Sequence, residues 1–321
     1  MEKSQWSDLH WDLILIITNQ LGLIDLLSFR GVCNYWRSAA SSLKASAEIE
    51  SLEPRPWFLL YGETAQCSLL TGDHRMYRIE IPELAESTCL QSFVGWLLLY
   101  GKNSKSLAFF CPFSGVKIEI PPCPLISEQS ESDLYAAFSS YPTDLDCTVV
   151  VVKHNKDLKK MNLCMLRRGE SEWTFHEHNI DRIRFAGKIK SIAIYQRAFH
   201  FLDEDSTLVE FKYDTMRWIN YNIVASGSST SAKKLNYLAL EWINRDSFSS
   251  KRNEMKQLLG IDRCSISICG AMILQGDANH HLRSYEFVEE DEEESNKPRR
   301  ELKGVWLQPR FHQISEDQQR W

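Results

Sequence analysis

The sequence predicts an α+β chain of two unlike parts, a small all-α unit at the N-terminus and an all-β propeller of about five or six blades behind it. Three observations point there. Helical periodicity runs from Ser7 to Leu43 and then stops; Glu53-Pro54-Arg55-Pro56 follows as a stiff linker; and from Trp57 onward the chain consists of short β-rich segments that repeat. The expected bounds are 1–48 for the helical unit, 49–56 for the linker and 57–321 for the propeller.

In the helical unit, Asp12 is the expected N-cap ahead of Leu13, Ile16, Ile17 and Leu21, which recur at helical spacing. A second run places Leu26, Phe29, Cys33, Trp36, Ala40 and Leu43 on one stripe, with Gly31 as a break or bend. The stretch Leu13-Ile14-Leu15-Ile16-Ile17 surrounds most of a helix with aliphatic groups, more than one stripe against its own domain requires. Five such side chains represent on the order of 10 kcal/mol of burial, so another surface is expected to cover them.

In the propeller, Trp57-Phe58-Leu59-Leu60-Tyr61-Gly62 recurs as Trp96-Leu97-Leu98-Leu99-Tyr100-Gly101, and Ile79-Glu80-Ile81-Pro82 recurs as Ile118-Glu119-Ile120-Pro121 at the same offset. A weaker echo sets Leu163, Leu166 and Trp173 against Leu208, Phe211 and Trp218. Strands are expected over 148–152, 161–166, 192–195 and 208–211. A period of roughly 40 to 45 residues holding about four strands is that of a propeller blade, with a pair of β-sandwiches as the alternative. Trp57 and Trp96 are expected inside the blades. Surface loops are expected at Ser127–Asp133 and Ala225–Ala232, a short helix within Glu241–Leu259, and a flexible acidic loop over 286–303 around Glu289–Glu294.

Composition narrows the function. With 37 Lys+Arg against 43 Asp+Glu the net charge is −6, which disfavours nucleic acid and anionic membranes as partners. No apolar stretch exceeds five residues, the length of Leu13 to Ile17, so no membrane-spanning helix is expected. The start Met1-Glu2-Lys3-Ser4 lacks the features of a secretion signal, and nine cysteines without a Cys-x-x-Cys pair suit a reducing compartment, the nucleus or cytoplasm.

Candidate chemistry is sparse. His176-Glu177-His178 would place Thr174, His176 and His178 on one strand face, expected toward solvent, and two ligands do not make a zinc site. His280-His281 diverge on a strand, and Asp203, Glu204 and Asp205 suit a hairpin turn. No phosphate-binding loop, nucleophile elbow or metalloprotease pair occurs. No catalytic residue, metal or cofactor is therefore expected.

Trp6-Ser7-Asp8-Leu9, then Leu13, Ile17 and Leu21, then Asp25-Leu26-Leu27, then Arg30-Gly31-Val32-Cys33-Asn34-Tyr35-Trp36-Arg37 resembles an F-box, with His10 where that family carries a proline. Ser92-Phe93-Val94-Gly95-Trp96-Leu97, Cys111-Pro112-Phe113-Ser114-Gly115, Ile118-Glu119-Ile120-Pro121-Pro122 and Trp306-Leu307-Gln308-Pro309 are similar to the KIB-type β-propeller that accompanies F-boxes in plant proteins; Cys111 stands where an Asn is usual. The resemblance implies three short helices and a non-catalytic role, as the substrate-recognition subunit of a Skp-Cullin-F-box ubiquitin ligase. It implies that Leu9, Leu13, Ile17, Leu21, Leu26, Val32, Cys33 and Trp36 engage a Skp-type adaptor, and through it Cullin, or hold the helices together. The target protein and the residues that bind it stay undetermined. The alternatives are a propeller that sequesters a partner without an adaptor, helices that merely cap the propeller, and a glycosidase-type propeller with carboxylates from separate blades.

Overall fold

A computed structural model describes residues 9–42, 57–71, 75–126, 134–155, 160–179, 189–195, 197–203, 208–221, 264–269, 284–287, 300–312 and 314–321. The helical unit contains α1 (Trp11–Thr18), α2 (Leu23–Arg30) and α3 (Asn34–Ser42). The cap of α1 is His10 rather than the expected Asp12: its ring nitrogen accepts from the Asp12 amide, while Asp12 occupies the first turn. His10 has φ −60°, within the range a proline ring would impose. Gly31 ends α2, and the Cys33 sulfur accepts from the Trp36 amide at 3.5 Å, satisfying an otherwise unpaired donor at the start of α3. Ile14, Leu26, Phe29, Ala39 and Ala40 form the core of the unit, with the Phe29 and Trp36 rings stacked at 4.3 Å.

Four four-stranded arrays follow. The first sets β18 (Arg300–Leu307) beside β1 (Trp57–Tyr61), β2 (Gln66–Leu70) and β3 (Met76–Glu80). The next three run in chain order: β4 (Ser87–Phe93), β5 (Trp96–Gly101), β6 (Ser106–Cys111) and β7 (Val116–Glu119); β8 (Leu134–Phe138), β9 (Thr148–Asn155), β10 (Lys160–Arg167) and β11 (Thr174–Asn179); β12 (Ile189–Tyr195), β13 (Ala198–Asp203), β14 (Leu208–Lys212) and β15 (Arg217–Tyr221). Two further strands, β16 (Cys264–Cys269) and β17 (Ser284–Phe287), extend the first array, with β16 parallel to β18. Antiparallel pairing of β18 with β1 brings the last strand of the chain to the first, as a propeller requires. Of residues 222–299 the described elements are β16 and β17, both in the first array, so the expected fifth or sixth blade lies outside the described residues.

The two sequence repeats occupy equivalent places. Trp57 and Trp96 each open the second strand of an array, and Ile79 and Ile118 lie on the fourth. Both tryptophans are buried as expected. The weaker echo also holds, with Leu163 and Leu166 on β10 and Leu208 and Phe211 on β14, the third strands of consecutive arrays.

The strands β18, β4, β8 and β12 stand next to one another as the leading strands of successive arrays, and polar side chains stitch them together. Lys303 donates from β18 to the Ser87 carbonyl and to Thr88 Oγ1, and Gln91 on β4 accepts from the Phe138 amide on β8 at 2.6 Å. Packing explains why the third array reads as an uninterrupted apolar run. Val149 and Val151 of β9 join the core shared with the first two arrays, whereas Val150 and Val152 join the core shared with β12–β15, so both sheet faces are covered.

Two further expectations change. His178 does not face solvent: its ring packs at 5.0 Å against Trp218 in the seam toward the fourth array, with His176 stacked at 6.3 Å, and Phe175 takes the exposed face. The neighbouring array, absent from strand periodicity alone, reverses the two faces. The expected loop over 286–303 begins and ends in strand, since 286–287 belong to β17 and 300–303 to β18; its remainder lies outside the described residues. Ser127–Asp133, Ala225–Ala232, Glu241–Leu259 and His280-His281 lie outside the described residues.

Candidate docking surface

The structure divides the eight residues singled out from sequence. Leu26 is 1% exposed and belongs to the helical core, so it reaches no other surface. Leu9, Ile17, Leu21 and Trp36 pack partly buried against that core, and half-buried Cys33 caps α3. Leu13 and Val32 remain in solvent, 49% and 59% exposed.

Two residues outside those eight join them: Ile16, part of the apolar run expected to be covered, is 59% exposed, and Tyr35 is 41% exposed. Leu13 and Ile16 are one turn apart on α1, hence on one face. Tyr35 lies on α3, its ring 5.4 Å from that of Trp11, so an aromatic contact carries the apolar surface from α1 to α3. The signal for Ile16 was available in the apolar run of α1, whose inward side is taken by Ile14 and Thr18. Among the described residues, the other large apolar side chains left exposed are Leu145 and Phe175 on the propeller. Leaving such groups in water forgoes ~1.5 to 3 kcal/mol each when a partner can cover them.

The other side of the unit faces the propeller. Leu23 on α2 lies in the propeller core, with Ile24 and Leu27 packed against it. The helices thus do cap the propeller along α2, while the α1 and α3 side stays open. Arg37 Nε donates to the Arg30 carbonyl at 3.1 Å and fixes the junction of α2 and α3.

Elsewhere the chemistry is structural. Among the described residues no three His, Cys, Asp or Glu side chains gather as a metal site. His200 and Glu210, cross-strand partners on β13 and β14, form a buried pair with Nε2 and Oε2 3.5 Å apart, and Lys212 stands 3.8 Å from the same carboxylate. Sequence reading missed this pair because it depends on hairpin register.

Comparison with known proteins gives two family matches. The F-box domain family matches residues 6–45, and the KIB1-4 beta-propeller family matches residues 67–258. The F-box protein At4g00893 of Arabidopsis thaliana is 26% identical over 217 residues, covering 66% of this chain and 52% of that protein. The F-box/kelch-repeat protein At3g18720 of the same plant is 26% identical over 220 residues, covering 64% and 54%. The F-box protein At4g12382 is 30% identical over 125 residues, covering 38% of this chain and 86% of its own length. The chain therefore spans about half the length of the first two relatives. Among solved structures, the WD40 domain of SCAP from fission yeast is 9% identical, covers 55% of this chain and 44% of that one, and has a TM-score of 0.28, too low to carry an argument.

Proposed function

The chain belongs to the KIB1-4 beta-propeller family and carries an F-box ahead of the propeller, and from that premise we propose that it is the substrate-recognition subunit of a Skp-Cullin-F-box ubiquitin ligase. In this reading Leu13, Ile16, Val32 and Tyr35 meet the Skp-type adaptor, and the propeller holds the target protein. No bond is made or broken by this subunit. Its contribution is effective concentration: a lysine on the held target is kept near the charged ubiquitin carrier, so a bimolecular encounter becomes a local one.

The observation that carries the reading is the exposure of Leu13 and Ile16 on α1 while the same unit buries Ile14, Leu26 and Phe29 as its own core. Helices serving only as a cap have no reason to keep that second apolar side. A nuclear or cytoplasmic setting belongs to the proposal and is supported by seven free cysteines among the described residues, six of them buried.

The test is co-purification of the full chain with a Skp-type adaptor. Leu13→Asp with Ile16→Asp is expected to abolish it while leaving the helical core intact. A folded double variant that still binds the adaptor overturns the assignment.

A further inference from the structure

The contact between the helical unit and the propeller is loosely filled along α2. A half-open pocket of about 240 Å³ is lined by Ile24 and Leu27 of α2 and by Leu59, Leu69, Tyr77 and Phe113 of the propeller. Leu23 is buried in the propeller core beside this opening, while Ile24 and Leu27 are only partly covered.

Residues 308–321 complete the contact. Phe311, Ile314 and Trp321 pack on the propeller core, and the Arg30 guanidinium of α2 sits 4.7 Å over the Phe311 ring. The segment is fastened at both ends. Arg310 donates to Tyr141 Oη at 2.9 Å, Cys111 Sγ donates to the Arg310 carbonyl, and His312 stacks on Trp96 with its Nε2 2.7 Å from the Val94 carbonyl. Farther on, Arg168 donates to the Gln318 carbonyl at 2.9 Å and lies 5.6 Å over the Trp321 ring, while the Arg320 backbone forms a β-bridge with Glu119. Gly95, at φ +80°, makes room for this course: a Cβ there would stand 2.9 Å from Arg310 Cβ. The segment leaves β18 in the first array and is held by residues of the second and third, so its position is set by three arrays at once.

We propose that residues 308–312 and 314–321 are a strap that fixes the helical unit in one orientation on the propeller through the Arg30–Phe311 contact. The docking face and the propeller then move as one body. The functional consequence rests on the ligase reading: a fixed orientation limits which target lysines reach the ubiquitin carrier. The orientation itself does not depend on that reading.

The test uses the full chain with spin labels on genetically encoded residues at Ser38 of α3 and Lys117 of β7, both exposed. A single narrow distance distribution is expected. Phe311→Ala is expected to replace it with a broad one, as is Arg30→Ala, which removes the other half of the contact. A broad distribution in the unaltered chain overturns the strap, and so does a narrow one in Phe311→Ala. Should Phe311→Ala lose the cooperative unfolding of the propeller, Arg30→Ala decides alone, and a narrow distribution there overturns the proposal. A narrow distribution in an unaltered chain that fails to bind the adaptor supports the strap and removes the ligase reading instead.

Discussion

The ring of Phe58 on β1 lies against the α-carbon of Gly304 on β18, leaving no space for a Cβ. The same ring packs 4.9 Å from Trp306, so the strand that joins the end of the propeller to its beginning is seated by an aromatic side chain crossing a residue without one.

Gly304→Ala is therefore expected to destabilise the propeller by about 1 to 3 kcal/mol, the usual cost of forcing extra volume into a packed site. Phe58 is itself buried at 2% exposure, so it has little room to withdraw. Thermal unfolding followed by circular dichroism checks this, and an unchanged midpoint counts against β1–β18 packing as the joint.

The fold was legible where one physical rule acted alone. Repeated strands must bury equivalent faces, so Trp57 and Trp96 fell on equivalent strands, and the strand expected over 148–152 is present, with its valines divided between two cores. The docking surface was legible only as a set. Apolar periodicity identifies Leu13 and Leu26 equally, and the choice between them depends on which side α3 and the propeller occupy. His178 was misplaced for the same reason, because its solvent-facing side became a seam when β15 packed beside it. Residues 308–321 carry little periodicity to read, and their course follows from side-chain contacts with distant loops.

Leu26→Ala and Leu13→Ala are expected to separate core from surface. The first removes a buried side chain from a small core, costing about 2 to 5 kcal/mol, and is expected to unfold the helices and abolish adaptor binding with them. The second changes stability by less than ~0.5 kcal/mol, since Leu13 is half exposed, yet weakens the adaptor complex. Helical ellipticity and co-purification on the same samples distinguish the two, and equal loss of ellipticity would contradict the division.

Cys33 is expected to be the first of the described cysteines to react with iodoacetamide. Burial pushes the Cys67 thiol up to about 11 and that of Cys147 to about 12, so neither presents a thiolate near neutral pH, whereas Cys33 is partly open to solvent. Adaptor binding is expected to slow the reaction at Cys33, which follows Val32 at the edge of the exposed surface. Mass spectrometry of peptides from the free and bound chain reads both effects; equal rates in the two states would place the adaptor elsewhere.

Acidification is expected to loosen the seam between the third and fourth arrays through His178. Burial against Trp218 lowers its pKa below the ordinary 6.5, and the nearby His176 lowers it further. The folded chain therefore favours the neutral ring, while the unfolded chain takes up a proton at the ordinary value. The contribution of His178 is fully present above pH 6.5 and is lost as the pH falls from there through the folded pKa. His178→Leu removes the titration and keeps an apolar side chain against Trp218 and Phe211. Unfolding midpoints of the two proteins should thus shift against each other below pH 6.5, with the unaltered chain losing more. A constant difference from about pH 7.5 to about pH 5 would show that protonation of His178 is not resisted by the seam.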